Sequence, residues 1–151
     1  MDTVSIFKAL GLNVTEAKSS EYLHLTVSPP QGGPTLDVVK PERDSKFYVL
    51  GMAISVHQFH QQQLRFLKEE DRRRFLSKLR YALLKMGVDM AFTPPNEEIP
   101  QVIFVSRVVY EEESTPNDLL HAMYKVRNAG TIAIFMFADR FGTPQLGSTF
   151  M

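Results

Sequence analysis

Apolar residues recur along this chain with two periods, and the switches between them mark its elements. Val4, Ile6, Phe7 and Leu10 share one side of a short helix that Asp2 caps and Gly11 stops. The stretch "SSEYLHLTV" then alternates. Leu23, Leu25 and Val27 point one way, Tyr22, His24 and Thr26 the other, which is the period of a half-covered strand. "SPPQGGP" combines fixed proline dihedrals with permissive glycines and reads as a turn, and "TLDVVK" returns as a second strand. After the polar "KPERDS", "KFYVLGMAIS" is apolar on both faces and reads as a third strand, central or covered on both sides. Short turns between the three imply an antiparallel meander.

The period then becomes helical. Ser55 and Gln58 fit an S-x-x-Q capping box, which starts a helix near Val56. A pause falls at "LKEED", whose carboxylates suit the amide end of a second helical run. In that run Phe75, Leu76, Leu79, Ala82, Leu83 and Met86 make one stripe, with Gly87 at the stop. "VDMAFT" and "QVIFVSRVVY" read as two further strands around the turn-rich "PPNEEIP". Thr115, Pro116 and Asp118 form a helix start, and the helix runs at least to Arg127. "GTIAIFMF" suits a strand by composition. Its Ile134, Phe137 and Ala138 nevertheless extend the stripe of Leu120, Met123 and Val126, so the helix is expected to continue.

The order α-β-β-β-α-β-β-α predicts an α+β domain with helices packed on an antiparallel sheet of about five strands. At 151 residues a single domain over 1–141 is expected, with 142–151 as a flexible tail. The arrangement resembles the fold of type III secretion chaperones. It is also similar to an archaeal family of uncharacterised domains of about this length. That second resemblance rests on "VSPPQGGPTLDVVKPERDS", "RRRFLSKLRYALLKMGVDMAF" and "IFVSRVVYEEESTPNDLLHAMYKV", and it covers nearly the whole chain. It implies the fold and a homodimer; chaperones of that fold hold extended, partly unfolded segments of client proteins.

Composition narrows the chemistry. Basic and acidic residues balance at 17 each, which argues against a polyanion binder at the level of the whole chain. No cysteine is present, so thiol catalysis, disulfides and thiolate zinc sites are excluded. The start "MDTVSIFKALGLN" lacks the basic and continuously apolar segments of a signal peptide, and the longest apolar run is too short for a bilayer. A cytoplasmic protein without a membrane partner is expected. No nucleophile elbow, phosphate-binding loop, dinucleotide fingerprint or zincin motif occurs. No cofactor is expected, and no enzyme unless the fold assembles a site of its own.

Three stretches remain as candidate sites. His57 and His60 stand three residues apart, a spacing that can hold a metal, but no third ligand accompanies them and no metal is assigned. His60 falls within an apolar arc with Val56, Phe59, Leu64, Phe66 and Leu67, and His57 on its edge, so a packed His60 with His57 at the rim is the preferred account of the pair. On the helix 72–86, Arg74, Lys78, Tyr81 and Lys85 share the solvent face, the pattern of a polyanion or nucleic-acid contact. Glu69 and Glu70, each four residues ahead of an arginine, give an ordinary salt-bridged face as the alternative. From Val88 to Leu119 the balance reverses: Asp89, Glu97, Glu98, Glu111, Glu112, Glu113 and Asp118 meet only Arg107. Pairing of this acidic stretch with the basic helix of a second subunit is one expectation. On the last helix Ile132, Phe135 and Met136 lie off the buried stripe and are the candidate partner or dimer interface. The leading expectation is a protein-binding, chaperone-like homodimer with an unidentified protein client. The alternatives are a nucleic-acid-associated protein and an enzyme.

Overall fold

A strand with one apolar face needs helices on that face alone, and most strands here are of that kind. The computed structural model describes residues 3–16, 22–28, 35–95, 98–112 and 114–144. In chain order these form α1 (Thr3–Ala9), β1 (Asn13–Glu16), β2 (Leu23–Ser28), β3 (Leu36–Lys40), β4 (Phe47–Ser55), α2 (Gln58–Phe66), α3 (Glu69–Lys85), β5 (Asp89–Thr93), β6 (Val102–Tyr110) and α4 (Pro116–Phe141). The fold is α+β, a six-stranded antiparallel sheet in the order β1-β2-β3-β4-β6-β5 with four helices among the described residues.

The expected five strands become six because β1 carries no periodic signal. "NVTE" holds one apolar residue, and three of its four residues are exposed. It is an edge strand held by backbone pairing, with Val14 opposite Val27 and Glu16 opposite Leu25. The pause expected at "LKEED" is a full break at Leu67 and Lys68, where the backbone turns extended, so the one helix counted between the third and fourth expected strands is two. Asp2, residues 19–21, the turn expected over 29–34, Glu97, Glu113 and the tail from 145 onward lie outside the described residues.

Contacts divide the chain into two compact units, 1–52 with 106–127 and 53–105 with 128–151. In the first unit the buried residues of β2, β3 and β4 alternate along each strand: Leu25 and Val27, Leu36 and Val38, Leu50 and Met52. Phe7 of α1 and Leu119, Met123 and Val126 of α4 are buried with them. A glycine at Gly11 closes α1 in the left-handed region (φ 78°). Leu12 N donates to Phe7 O and Gly11 N to Lys8 O, the paired bonds of a Schellman cap. A buried lysine, Lys40, ends β3. Its ammonium donates to Glu111 Oε2 at 2.9 Å and lies 5.6 and 5.8 Å from the ring centres of Tyr22 and Tyr48. The bond to Glu111 raises the Lys40 pKa above its ordinary value against the opposing effect of burial.

In the second unit Ile54, Val56, Leu64, Leu79, Leu83, Ile103 and Val105 are buried. The α3 stripe is seated as the spacing predicts: Phe75, Leu76, Leu79 and Leu83 are buried and Ala82 and Met86 half-buried. The ambiguous 130–137 stretch is helix. Ala129, Ala133 and Phe137 are buried at four-residue spacing, whereas a strand would have buried alternate residues. β4 lies inside the sheet order, but only one face is fully covered: Leu50, Met52 and Ile54 are buried while Ala53 and Ser55 are exposed. Phe66, expected in the apolar arc of α2, is 80% exposed at the last position of that helix.

The start of α2 differs from the capping-box expectation. Ser55 is the last residue of β4, and Val56, buried at 4% exposure, donates its backbone N–H to Gln101 O at 2.8 Å. With Ser55 still in β4 and Val56 tied to Gln101, the cap moves to His57. Its Nδ1 accepts from Phe59 N at 3.0 Å, and the side chain of Gln61 donates to Val56 O. α4, by contrast, starts as predicted. Asp118 accepts from Thr115 N at 2.7 Å while Asp118 N donates to Thr115 Oγ1, a reciprocal cap that holds the Asp118 carboxyl below its usual pKa.

His57→Ala is expected to lower stability by about 1 kcal/mol through loss of the α2 cap. His57→Asn, which keeps a side-chain acceptor, should recover most of that. Urea unfolding followed by circular dichroism reads both; equal loss in the two variants would remove the capping role.

Candidate functional site: a basic and apolar groove on α3 and α4

The two histidines of the sequence motif meet other demands. His57 Nδ1 is occupied as the α2 cap. The His60 ring is completely buried and bonds through Nε2 to the backbone O of Gly142 at 2.7 Å. A carbonyl oxygen only accepts, so this nitrogen carries the proton. Phe59, Phe137 and Phe141 surround the ring with centroids 5.4, 5.4 and 6.2 Å away. Burial lowers the His60 pKa, with a smaller contribution from neighbouring His57, against the opposing bond to Gly142. The imidazole therefore works as a neutral donor that ties α2 to the end of α4. Gly142 itself sits at φ 84° and donates its N–H to Ala138 O at 2.8 Å, which is the αL closure of α4. Among the described residues no cluster of three or more His, Cys, Asp or Glu is placed to hold a metal.

α3 presents its charges outward. Arg73 and Arg74 pair with Glu69 and Glu70 at four-residue spacing, as the sequence suggests, and Arg74 also approaches Asp71 at 3.7 Å. Arg72 turns inward, with 14% of its side chain exposed, donating to Leu64 O and pairing with Glu98. One carboxylate of the acidic stretch thus meets the basic helix within the chain. Glu111 is engaged by Lys40, and Glu112 lies 4.0 Å from Lys46. Arg107 also has interactions within the chain. Lys78 and Lys85 form no ion pair among the described residues, and Tyr81 between them is 66% exposed.

On α4, Phe135 is 61% exposed while Ile132 and Met136 beside it are half-buried. These three share the outward side of the helix because Ala133 and Phe137 take the inward side. Met136 also joins a groove of about 490 Å³ with Phe75 and Lys78. Arg74, Arg140, Asp71 and Asp139 complete its lining. The structure therefore brings Arg74 and Lys78 of the basic set together with Met136 of the apolar set, although they are about sixty residues apart in sequence. The groove offers apolar floor and cationic wall. It can hold a side chain and its charge, but it contains no nucleophile beside a base.

One polar constellation escaped the sequence reading. His24 Nε2 lies 3.0 Å from Asp37 Oδ1, which also accepts from Thr26 Oγ1 at 3.3 Å. The register places Thr26 opposite Asp37 and His24 opposite Val39. Alternation had already set His24 and Thr26 on one side of β2. The pairing with Asp37 needed the strand register, which the turn between the strands conceals. The Asp37 side chain is 42% exposed.

The His60 environment predicts a pH dependence. Its folded pKa is depressed below the unfolded value of 6.5, so the unfolded chain binds the extra proton as pH falls through that range. The stability associated with a neutral His60 is complete above this range and lost on acidification from about 6.5 toward the depressed folded value. Thermal melts of the protein and of His60→Gln, which keeps a donor, should diverge in slope over that interval. Parallel pH profiles would show that His60 does not titrate with unfolding.

Among the described residues no helix is long and apolar enough to cross a membrane. No curated protein matches this chain. A crystal structure of an uncharacterized protein from Methanothermobacter thermautotrophicus is similar, with a TM-score of 0.83 and 24% identity over 92% of this chain and 96% of that one. At that identity the likeness shows a shared fold. The model of an uncharacterized conserved protein family matches residues 4–137, from α1 to Phe137 of α4. The chain belongs to that family, DUF2299.

Proposed function

We propose that the chain is a cytoplasmic, non-catalytic protein-binding module with a secretion-chaperone-like fold, acting as a homodimer that holds a segment of a client protein. The observation that carries the reading is Phe135, 61% exposed on a helix whose inward positions Ala129, Ala133 and Phe137 are fully buried. An aromatic ring held in water on a well-packed helix is costly unless something covers it, and Ile132 and Met136 widen the same patch. Methionine beside phenylalanine makes such a surface adaptable to partner shape. The absence of an assigned chemical step rests on the polar groups. His24 and Asp37 are the most enzyme-like pair, yet the nearby hydroxyl of Thr26 donates to the carboxylate of Asp37.

A nucleic-acid reading has one observation of its own, the exposed Tyr81 between Lys78 and Lys85, neither of which is ion-paired among the described residues. Retention on heparin that weakens steeply with salt would favour it over protein binding.

Phe135→Glu is expected to give folded protein whose self-association is weakened at least about thirtyfold, the scale of a central interface anchor. Light scattering behind size exclusion reads the mass, and circular dichroism the fold. A folded variant with unchanged mass would remove this face from the dimer.

A further inference from the structure

The α3 and α4 groove holds two cations, Lys78 and Arg140, that form no ion pair among the described residues. Between Arg72 and Lys85 the sequence places six basic residues and no acidic one. Arg74 is shared with Glu70 and Asp71, but Lys78 and Arg140 make no ion pair among the described residues. Arg140 is laid over the Phe141 ring at 5.3 Å, which limits its freedom to reach away from the groove. Between these charges lie Phe75, with 7% exposure, and the half-buried Met136. The groove volume of about 490 Å³ is in the range of clefts that take several side-chain-sized groups.

From this complementarity we propose that the groove receives an extended acidic segment of a partner protein, one apolar side chain resting on Phe75 and Met136 and its carboxylates on Lys78 and Arg140. The inference rests on the reading of the chain as a protein-binding module and names the chemistry of what it binds. An entirely apolar segment would desolvate two unpaired cations, which is costly. A basic segment would meet charges of its own sign. A nucleic-acid strand fits less well, because Asp71 and Asp139 also line the groove. It carries a phosphate at every nucleotide, whereas a peptide can place neutral residues against these two carboxylates. Carboxylates against lysine and arginine form charge-assisted bonds, and the bidentate fork of Arg140 adds direction to the recognition.

The test uses the full chain and labelled synthetic peptides that alternate leucine with glutamate, with lysine or with serine, followed by fluorescence anisotropy. The leucine–glutamate peptide is expected to bind at least about tenfold tighter than the other two. That margin should shrink as salt rises and should be lost in the double variant Lys78→Gln, Arg140→Gln. Both substituted residues belong to the groove wall and not to the core, and a thermal melt confirms the fold of the variant. Equal binding of all three peptides, or binding indifferent to the double variant, overturns the acidic occupant. Tighter binding of a single-stranded oligonucleotide overturns it in favour of a polyanion. No peptide binding, together with a Phe135→Glu variant that becomes monomeric, overturns this inference and leaves the module reading standing. No peptide binding with the mass of that variant unchanged overturns both.

Discussion

A buried imidazole has to find its hydrogen bonds inside the protein, and His60 finds one at the carbonyl of Gly142. The second compact unit is arranged around that requirement. The carbonyl is available because α4 ends there, and α4 ends there because Gly142 adopts a left-handed backbone that closes the helix. Once that end is fixed, Phe137 and Phe141 stand against the His60 ring and also against Phe75 of α3, with centroid distances of 5.1 Å to each. The rotation of α4 is then no longer free. Phe137 inward requires Met136 at the groove and Phe135 outward, since successive helical positions differ by about 100°. The exposure of Phe135 is thus a geometric consequence of where His60 is satisfied.

Charge follows the same geometry. Carboxylates at the beginning of α3 oppose the amide end of the helix and hold Arg73 and Arg74 by local pairs worth a few tenths of a kcal/mol each. They cannot reach the later turns. Among the described residues Lys78 and Lys85 make no ion pair, and the next acidic residue in sequence, Asp89, opens β5. A chain of zero formal net charge carries an uncompensated basic surface in this way. The acidic stretch that follows does not cancel it. Glu98 is drawn to Arg72 on the inward flank, and Glu111 is held by Lys40 in the other unit.

Elements with strong periodicity were legible in the sequence. The alternation of β2 and β3, the stripe of α3 and the cap at Thr115 each appear where the spacing puts them. So does the continuation of α4 through 130–137, because four-residue spacing of Ala129, Ala133 and Phe137 outweighs β-branched composition. β1 was not legible because backbone pairing at a sheet edge asks nothing of its side chains. The start of α2 was misread for a related reason. A capping box is a local signal, and at Ser55 it lost to the end of β4 and a backbone bond between Val56 and Gln101, forty-five residues apart in sequence. The groove was legible only as two halves. Basic residues of α3 and apolar residues of α4 each stood out, but helical spacing says nothing about which distant helix lies alongside. The His24 and Asp37 pair was hidden by strand register, and His60 was read correctly as packed without any sign of the carbonyl it bonds.

Met136 belongs to two surfaces, the apolar patch with Phe135 and Ile132 and the groove with Phe75 and Lys78. On the proposed reading, self-association and client binding therefore cannot be independent. If a second copy covers Phe135 and leaves Met136 accessible, its own residues extend the groove and each binding step favours the other. If it covers Met136 as well, client and second copy compete for the same atoms and the free monomer is the binding form. Thermodynamic linkage makes either coupling reciprocal, whichever step comes first. The sign is set by how far the partner reaches along the outer side of α4, a distance of one helical position. The exposed ring of Phe135 and the half-buried thioether of Met136 are consequently unequal in what they report. On that reading the first would govern whether copies meet, and the second whether meeting helps or hinders the occupant.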